Sequence, residues 1–480
     1  MCGALLRRAR APRLHRPPQG RRHPEGRLTD AHPPDTHCHL FFPGLAERLD
    51  DVLEAARAAG TGWIVVPGID RGTSSQAVAI AREHGLLAAV GIHPAEAEDP
   101  GPFEEIERLA FEPGVCAIGE TGLELRPGAP PLELQRELLA SHAGLASDLD
   151  LPLVCHSRGA EAEIVEALGA LDPPGAVLHC YTGPDGPALE AASRGWFIGF
   201  SGAVTFRRSE TLRQTLAALP RSSVLVETDS PFMSPEPVRG RTCEPAFVMH
   251  TARAVAAAWG MPFGEACSIL AANSERAFRQ GASARPSVIY RLDGRAYVNL
   301  TGICGNKCRF CIRNTESGLG GYLLAHGGGE PSEERVLSGI SRLPRRGLSE
   351  MVFCGYGEPT SRLALLRRAA GLARSLGWRL RLNTNGLALS SFGQDEVLEV
   401  VRLFDSVSIS LNAWDDASYS GICRPSVPGA WESLLAFVRL AVSAGPRVRL
   451  TAVAWEGVEM GRVRAVAEGL GLPLVTRGGA

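Results

Sequence analysis

Lysine is nearly missing from this chain: one, Lys307, stands among 50 basic residues. The others are arginine, a bias that fits a GC-rich genome better than a local device. Long apolar runs are missing too. No stretch approaches the roughly 20 residues of a membrane-spanning helix, so no membrane partner is expected. The opening, MCGALLRRARAPRLHRPPQGRRHPEG, carries arginine and proline but no apolar centre, so it is not a secretory signal. Residues 1–34 hold eight arginines and two acids. They read as a disordered basic arm, or as sequence ahead of a later start, before they read as a nucleic-acid-binding tail. Hydrophobic residues make up 45% and charged residues 21%, a balance that excludes a wholly disordered chain, a collagen and a coiled coil.

What is there begins with length. At about 150 residues per domain, 480 residues suggest two or three domains, each able to bury a core. A net charge of −2 hides an uneven distribution: residues 35–280 carry 18 basic and 33 acidic groups, and residues 281–480 carry 24 and 17. The middle of the chain therefore lacks the basic excess of a strong nucleic-acid binder, unless bound cations offset it. Twelve cysteines without a signal suggest a reducing, cytoplasmic compartment. There thiols are core residues, metal ligands or redox groups rather than disulfides.

From residue 35 to 278 short apolar runs alternate with helical patterns: DTHCH (35–39), WIVVPG (63–68), LLAAVGIH (86–93), VCAIGET (115–121), LPLVCHS (151–157), AVLHCY (176–181), WFIGFSG (196–202) and VLVETDS (224–230). Eight βα units in this length predict an α/β fold, a TIM-like (β/α)8 barrel over 35–279. QGASARP (280–286) is small, polar and ends in proline, so 280–290 is the expected linker. A second series follows over 291–480, with strands at 296–304, 351–357, 379–386, 406–413, 447–455 and 472–479. Six strands are too few for a closed eight-stranded barrel and fit a partial (β/α)6 barrel.

Ionisable residues end the strands of the first series. His37 and His39 end the first, Glu120 the fourth, His156 the fifth, His179 the sixth and Asp229 the eighth. Alternate strand residues face one side, so the two histidines point together and Cys38 points away. Strand C-termini of such barrels converge on one face. Four histidines and two carboxylates there suit divalent Zn, Mn, Mg or Ni. Six ligands are too many for one tetrahedral ion that also holds water. Two ions about 3.5–4 Å apart, bridged by a carboxylate, fit better.

This order, together with Gly91-Ile92-His93-Pro94, Ile118-Gly119-Glu120-Thr121-Gly122-Leu123, His156-Ser157-Arg158, His179-Cys180-Tyr181-Thr182-Gly183 and Glu227-Thr228-Asp229-Ser230-Pro231-Phe232, resembles the TatD family of metal-dependent hydrolases. The resemblance implies that His37, His39 and Asp229 hold one metal, that Glu120 bridges, and that His156 and His179 hold the other. Asp229 would orient or deprotonate a metal-bound water. The implied reaction is phosphodiester hydrolysis, typically exonucleolytic, on DNA or a nucleotide. Arg158, Arg207, Arg239 and Arg241 are candidate phosphate clamps, since guanidinium forks match phosphate. His93 is a candidate ligand or substrate contact. The chain departs from the family's usual Asp-aromatic pair at Glu124-Leu125. It departs again at Arg241-Thr242-Cys243-Glu244-Pro245, where Lys-x-Asn-Glu-Pro is usual. Both bear on substrate more than on metal.

In the second series Cys304-Gly-Asn-Lys-Cys308-Arg-Phe-Cys311 follows directly on a predicted strand. Three thiolates on one short loop can hold three irons of a 4Fe–4S cluster and leave the fourth open. The competing reading is a structural zinc, with Cys354, His326 or Cys423 as fourth ligand, but the paired C-x2-C units usual for zinc are absent. The spacing resembles the radical S-adenosylmethionine (SAM) superfamily. Gly355, Gly357 and Glu358 would meet the cofactor's amino group. Asn383 and Asn385, with Ser408, Ser410 and Asn412, sit where ribose and carboxylate contacts fall. Reductive cleavage of SAM would give a 5′-deoxyadenosyl radical and need a one-electron donor such as flavodoxin or ferredoxin. The expected protein is thus a two-metal hydrolase fused to a radical SAM enzyme. The alternatives are an ester or amide hydrolase with a radical domain acting on a small metabolite, or one domain serving only as a scaffold.

Overall fold

A computed structural model describes residues 32–281, 284–315, 318–326 and 329–478. Most of the expected basic arm, residues 1–31, lies outside them. The first seven strands, β1 (Val65–Pro67), β2 (Leu87–Val90), β3 (Val115–Glu124), β4 (Leu153–Arg158), β5 (Ala176–Leu178), β6 (Phe197–Phe200) and β7 (Val224–Val226), pair in chain order, all parallel. Alternation of short strand and helix forces this arrangement, because each helix returns the chain to the same end of the sheet.

The expected first strand, 35–39, is not laddered. It closes the ring through two isolated parallel bridges, Asp35 to Ile64 and Cys38 to Ser230. Backbone bonds run from Cys38 to Val65 O (3.1 Å), from His39 to Ser230 O (2.8 Å) and from Asp229 to His37 O (2.9 Å). The eighth barrel position is therefore filled by a segment too irregular to count as a strand, and its side chains stay free for the site. Val66, Val90, Ile118, Leu153, Leu178, Ile198 and Val226 are buried in the core that joins this ring to its helices. Each such side chain contributes roughly 1.5–3 kcal/mol on leaving water.

The second sheet has seven strands in the order β16-β15-β14-β13-β12-β9-β8. Six are parallel: β9 (Arg295–Val298), β12 (Met351–Phe353), β13 (Leu380–Thr384), β14 (Ser406–Ser410), β15 (Arg447–Ala454) and β16 (Leu474–Gly478). They correspond to the six expected strands of the partial barrel. The seventh, β8 (Ile289–Leu292), pairs antiparallel with β9 and begins inside the expected linker. Ile289 and Tyr290 are buried there, so the free connection is shorter than 280–290. A small hairpin, β10 (Gly318–Leu319) with β11 (Tyr322–Leu323), was not anticipated.

The barrels meet across a charged and apolar seam. Arg342 pairs with Asp148 and, at 3.1 Å, with Glu107; Arg291 reaches Glu112 at 2.8 Å; Tyr322 Oη donates to Phe111 O at 2.9 Å. A cavity of about 250 Å³ in this seam is lined by Leu87, Val115 and Cys116, which lie at the N-terminal ends of β2 and β3. The second barrel thus packs on the end of the first that is opposite its strand C-termini. No single helix among the described residues is long and apolar enough to cross a membrane.

Candidate active sites

Within β3 and β4, just beyond the ends of β5 and β7, and on the 35–39 segment, the structure gathers all six expected ligands of the first barrel. Glu120 is their centre. Its Oε2 lies 3.2 Å from His37 Nε2 and 3.5 Å from His39 Nε2, while its Oε1 lies 3.2 Å from His156 Nδ1 and 2.8 Å from His179 Nε2. The carboxylate therefore turns one oxygen to each histidine pair. Asp229 Oδ1 stands 3.5 Å from His39 Nε2 and 4.0 Å from His37 Nε2. Its backbone is left-handed (φ 56°), a conformation costly for a non-glycine residue and held here by the bond to His37 O.

Burial opposes the Glu120 charge, but His179, His93 and His156 outweigh it and hold the carboxyl well below its usual range. Burial and the neighbouring His179 push His37 down; for His39 and His179 burial is overcome by Asp229 and Glu120, which push them up. Four imidazoles around two carboxylates, with His37 and His39 Nε2 only 3.2 Å apart, form a buried set of nitrogen and oxygen donors. Buried carboxylate charge needs pairing, and divalent ions fit it.

Sequence reasoning missed the residues that aim these ligands. His39 Nδ1 is bonded to Pro67 O (3.1 Å) and His179 Nδ1 faces Glu227 at 3.6 Å. Glu227 is fully buried and also accepts the Cys180 N–H. Asp35 accepts from the Thr228 N–H and hydroxyl, at 2.9 and 2.6 Å. Burial of Asp35 raises its carboxyl to about 8. Glu227 and Asp35 lie two residues from Asp229 and His37, so strand periodicity could have marked them.

A cavity of about 450 Å³ opens over the cluster, lined by His93, Arg126, Arg158, Phe42 and Phe232 among others. His93 Nε2 lies 3.5 Å from Glu120 Oε1, and burial pushes this imidazole down to about 4. Arg158 lines the cavity as expected. Arg239 and Arg241 do not; they lie over the rings of Phe206 and Phe247 at 4.2 and 5.5 Å, where stacking holds the guanidinium planes. Arg207 is exposed and outside the lining. Arg126, unforeseen, pairs with Glu124, whose other oxygen is 3.8 Å from His156 Nε2.

In the second barrel Cys304, Cys308 and Cys311 lie half-buried on the loop that leaves β9. That loop is fixed along residues 419–426. Lys307 N donates to Cys423 O (2.9 Å), Arg309 N to Ile422 O (3.0 Å), Ser426 N to Gly305 O (2.7 Å) and Asn306 Nδ2 to Tyr419 Oη (3.0 Å). A hydrogen bond from the Cys423 thiol pushes Cys308 below its usual value. Among the described residues, the ligand groups gathered within 4.8 Å all belong to the first barrel.

Glu358 N donates to Ile303 O at 2.7 Å, and Tyr356 N to Asn299 Oδ1 at 3.0 Å. A Cβ on Gly357 would stand 2.3 Å from Thr301 O, and one on Gly355 would stand 2.1 Å from Asn299 Oδ1, so both glycines are needed for this approach. The Glu358 carboxylate, expected at a cofactor's amino group, is engaged by four donors of the chain: Thr360 N and Oγ1, Thr384 Oγ1 and Asn385 N, at 2.7–3.1 Å. It thereby fastens the end of β13 to that of β12. Asn385 Nδ2 reaches Cys304 Sγ at 3.8 Å. Asn383 lies beside the Cys354 thiol with its Oδ1 buried and unpaired, Ser408 accepts from Arg449, and Asn412 accepts from Val453 N. Ser410 faces the same interior as Ser408, two residues further along β14.

Fold and site together define a metal-dependent hydrolase barrel joined to a half-barrel that carries a cysteine loop. The sequence profile of the TatD related DNase family matches residues 34–279 and that of the radical SAM superfamily matches 298–468. The chain belongs to the TatD related DNase family and carries a radical SAM domain behind it; both are families of enzymes. An uncharacterized metal-dependent hydrolase, YabD of Bacillus subtilis, is 34% identical over 51% of this chain and 98% of its own. The 3'-5' ssDNA/RNA exonuclease TatD of Erwinia tasmaniensis is 33% identical over 51% and 98%. The structure of the TatD homologue YjjV of Escherichia coli is 30% identical, with a TM-score of 0.50, over 53% of this chain and all of that one.

Proposed function

We propose that the first barrel cleaves phosphodiester bonds at the end of a single-stranded nucleic acid or in a short nucleotide. One observation carries this reading: the Glu120 carboxylate turns one oxygen to His37 and His39 and the other to His156 and His179. Divalent ions held by these residues and Asp229 would make a water nucleophilic at neutral pH and take up charge on the phosphoryl oxygens. The chain's own residues do the rest. Asp229 accepts the proton of the attacking water, and Glu227 and Pro67 O keep His179 and His39 aimed. The Ala95 N–H donates to His93 Nδ1 at 3.0 Å, so the neutral ring carries its proton on Nε2. His93 is thereby a donor to a phosphoryl oxygen rather than a metal ligand. Arg158 supplies a guanidinium to the same charge.

The rim favours an unpaired base. Phe232, 51% exposed, packs on Phe42 with ring centroids 5.4 Å apart, a ledge on which a base can stack. The exonuclease activity in the name of the Erwinia relative agrees with this. The test is activity of the metal-loaded chain on single-stranded DNA, on dinucleotides and on acyl esters. Cleavage of the first two supports the reading; turnover of acyl esters alone replaces it with the esterase alternative.

For the second barrel we infer a 4Fe–4S cluster on Cys304, Cys308 and Cys311. When bound, it would deliver one electron, drawn from a flavodoxin- or ferredoxin-like donor, to cleave SAM reductively. The run Cys304–Cys311 lacks the two paired C-x2-C units usual for a structural zinc. The chain's part is to hold the loop on 419–426 and to bring the Gly355–Glu358 backbone against it. Iron, sulfide and 5′-deoxyadenosine measured on anaerobically reconstituted protein test this; stoichiometric zinc without iron would refute it. The eleven described cysteines are all free, which supports a reducing, cytoplasmic setting.

A further inference from the structure

The interior of the second barrel holds more positive charge than its acids balance. Leu382, Val407, Ile409 and Leu450 pack into the core beneath the helices. By alternation Arg381, Ser408 and Arg449 face the other way, into the half-barrel. Arg295, the first residue of β9, and Arg477, which pairs in register with Val453 two pairs of residues beyond Arg449 on β15, stand on the same inner face. The carboxylate that pairs with these groups is Glu350, and it is shared: 2.9 Å to Arg295 and 3.1 Å to Arg381. Arg381 is 11% exposed, and its Nε is buried with no partner. Arg449 Nε donates to Ser408 Oγ at 2.6 Å; among the described residues no carboxylate pairs with Arg449 or Arg477. Burial, then the charges of Arg381 and Arg477, hold the Arg449 guanidinium below its usual range, against the opposing pull of Glu350.

Like charges in a half-enclosed space repel, and guanidinium forks match the planar or tetrahedral oxygens of carboxylate and phosphate. We propose that Arg381, Arg449 and Arg477 bind an oxyanion, phosphate or carboxylate, of the molecule on which the second barrel acts. This rests on the reading of that barrel as a radical SAM enzyme. Arg449 pairs in register with Ser408, and Ser408 with Asn383, below the strand ends from which the cysteine loop leaves. The anionic end of the substrate is therefore anchored deep, and the rest of the molecule extends toward the loop. The substrate class is an acid or phosphate ester small enough to enter the half-barrel.

The test uses the full chain, cluster reconstituted, carrying His37→Ala and His39→Ala so that the first barrel offers no metal centre to the probe. Equilibrium dialysis is run with radiolabelled inorganic phosphate and, separately, with malonate. Saturable binding of one of the two is expected. Arg449→Gln and Arg477→Gln should each weaken it by at least about tenfold, roughly 1.4 kcal/mol, and Arg449→Lys should weaken it less than Arg449→Gln. Arg477 is exposed on the last strand, so its variant remains informative if Arg449→Gln does not fold. Phosphate winning over malonate, or the reverse, names the oxyanion. Displacement by SAM would assign the arginines to the cofactor's own carboxylate and overturn the proposal. So would an absence of saturable binding, or binding indifferent to both variants. The two readings fail separately: a wild-type chain that forms no 5′-deoxyadenosine from SAM and dithionite refutes the radical reading whatever phosphate does.

Discussion

The two barrels assemble their sites in opposite ways. In the first, the six gathered ligands come from five separate chain segments between residues 37 and 229, and they meet only when the ring closes. Each is then steadied by a partner behind it, as Glu227 and Pro67 O steady His179 and His39. In the second, the three thiols lie within eight consecutive residues, and folding has only to fix one loop against 419–426. A site spread over strand ends is as rigid as the sheet. A site on one loop is as rigid as the contacts that pin the loop, and it leaves room for a large cofactor. The seam between the barrels lies at the strand N-termini of the first, so its metal end opens away from the second barrel. A product of one site therefore reaches the other through solvent.

The sharpest way to break this comparison is to disable each site alone. If His37 and His39 hold metal as proposed, His37→Ala with His39→Ala should lower hydrolysis at least about a hundredfold, more than the 10–100-fold effect of losing an outer partner. It should leave the iron content and visible absorbance of the reconstituted chain intact. Cys308→Ala should do the reverse: cluster and 5′-deoxyadenosine are lost, and hydrolysis stays at the wild-type rate. Loss of both activities from either change would show that the barrels are coupled.

Glu227→Gln probes the partner layer that the second site lacks. The amide keeps the shape but loses the charge behind His179. Affinity for Mn or Zn should fall about 10–100-fold, read by metal titration with the fold checked by circular dichroism. Unchanged affinity would mean that the ring alone aims the ligands. Phe232→Ala is smaller. Stacking of a base on an aromatic ring contributes about 1–3 kcal/mol, so KM for single-stranded DNA should rise roughly tenfold with kcat nearly constant. An equal effect on a substrate without a base would remove the ledge from the account.

What could be read beforehand follows from the same contrast. The cysteine loop is contiguous, so Cys304, Cys308 and Cys311 stood out without any fold. That the six residues of the first barrel converge was legible because strand ends can be counted and period 2 assigns their faces, even though 35–39 proved to be bridged rather than laddered. Arg239 and Arg241 were misplaced because charge in sequence does not reveal that Phe206 and Phe247 lie beneath them. The start of β8, Ile289 and Tyr290, was placed in the linker because a four-residue strand shortly after a proline carries too weak a pattern. The inner arginines were invisible for a related reason. They lie on four different strands, and their shortage of acids appears only when Arg381, Arg449 and Arg477 face one interior.

The seam itself tests whether two such different barrels fold as one body. Tyr322 is 7% exposed and its hydroxyl donates across the seam to Phe111 O. Tyr322→Phe keeps the ring and leaves that carbonyl without its donor, at about 1 kcal/mol. If the seam couples the barrels, calorimetry should show one transition in the wild type and a lower, broader or split one in the variant. If they unfold independently, the loss falls on the second transition alone, because β10 and β11 belong to that half, and the first keeps its midpoint. Arg342, which bridges to Asp148 and Glu107 on the other side of the seam, is 38% exposed, so water already screens its pairs. Arg342→Met should therefore shift the same midpoints less than its three charges suggest.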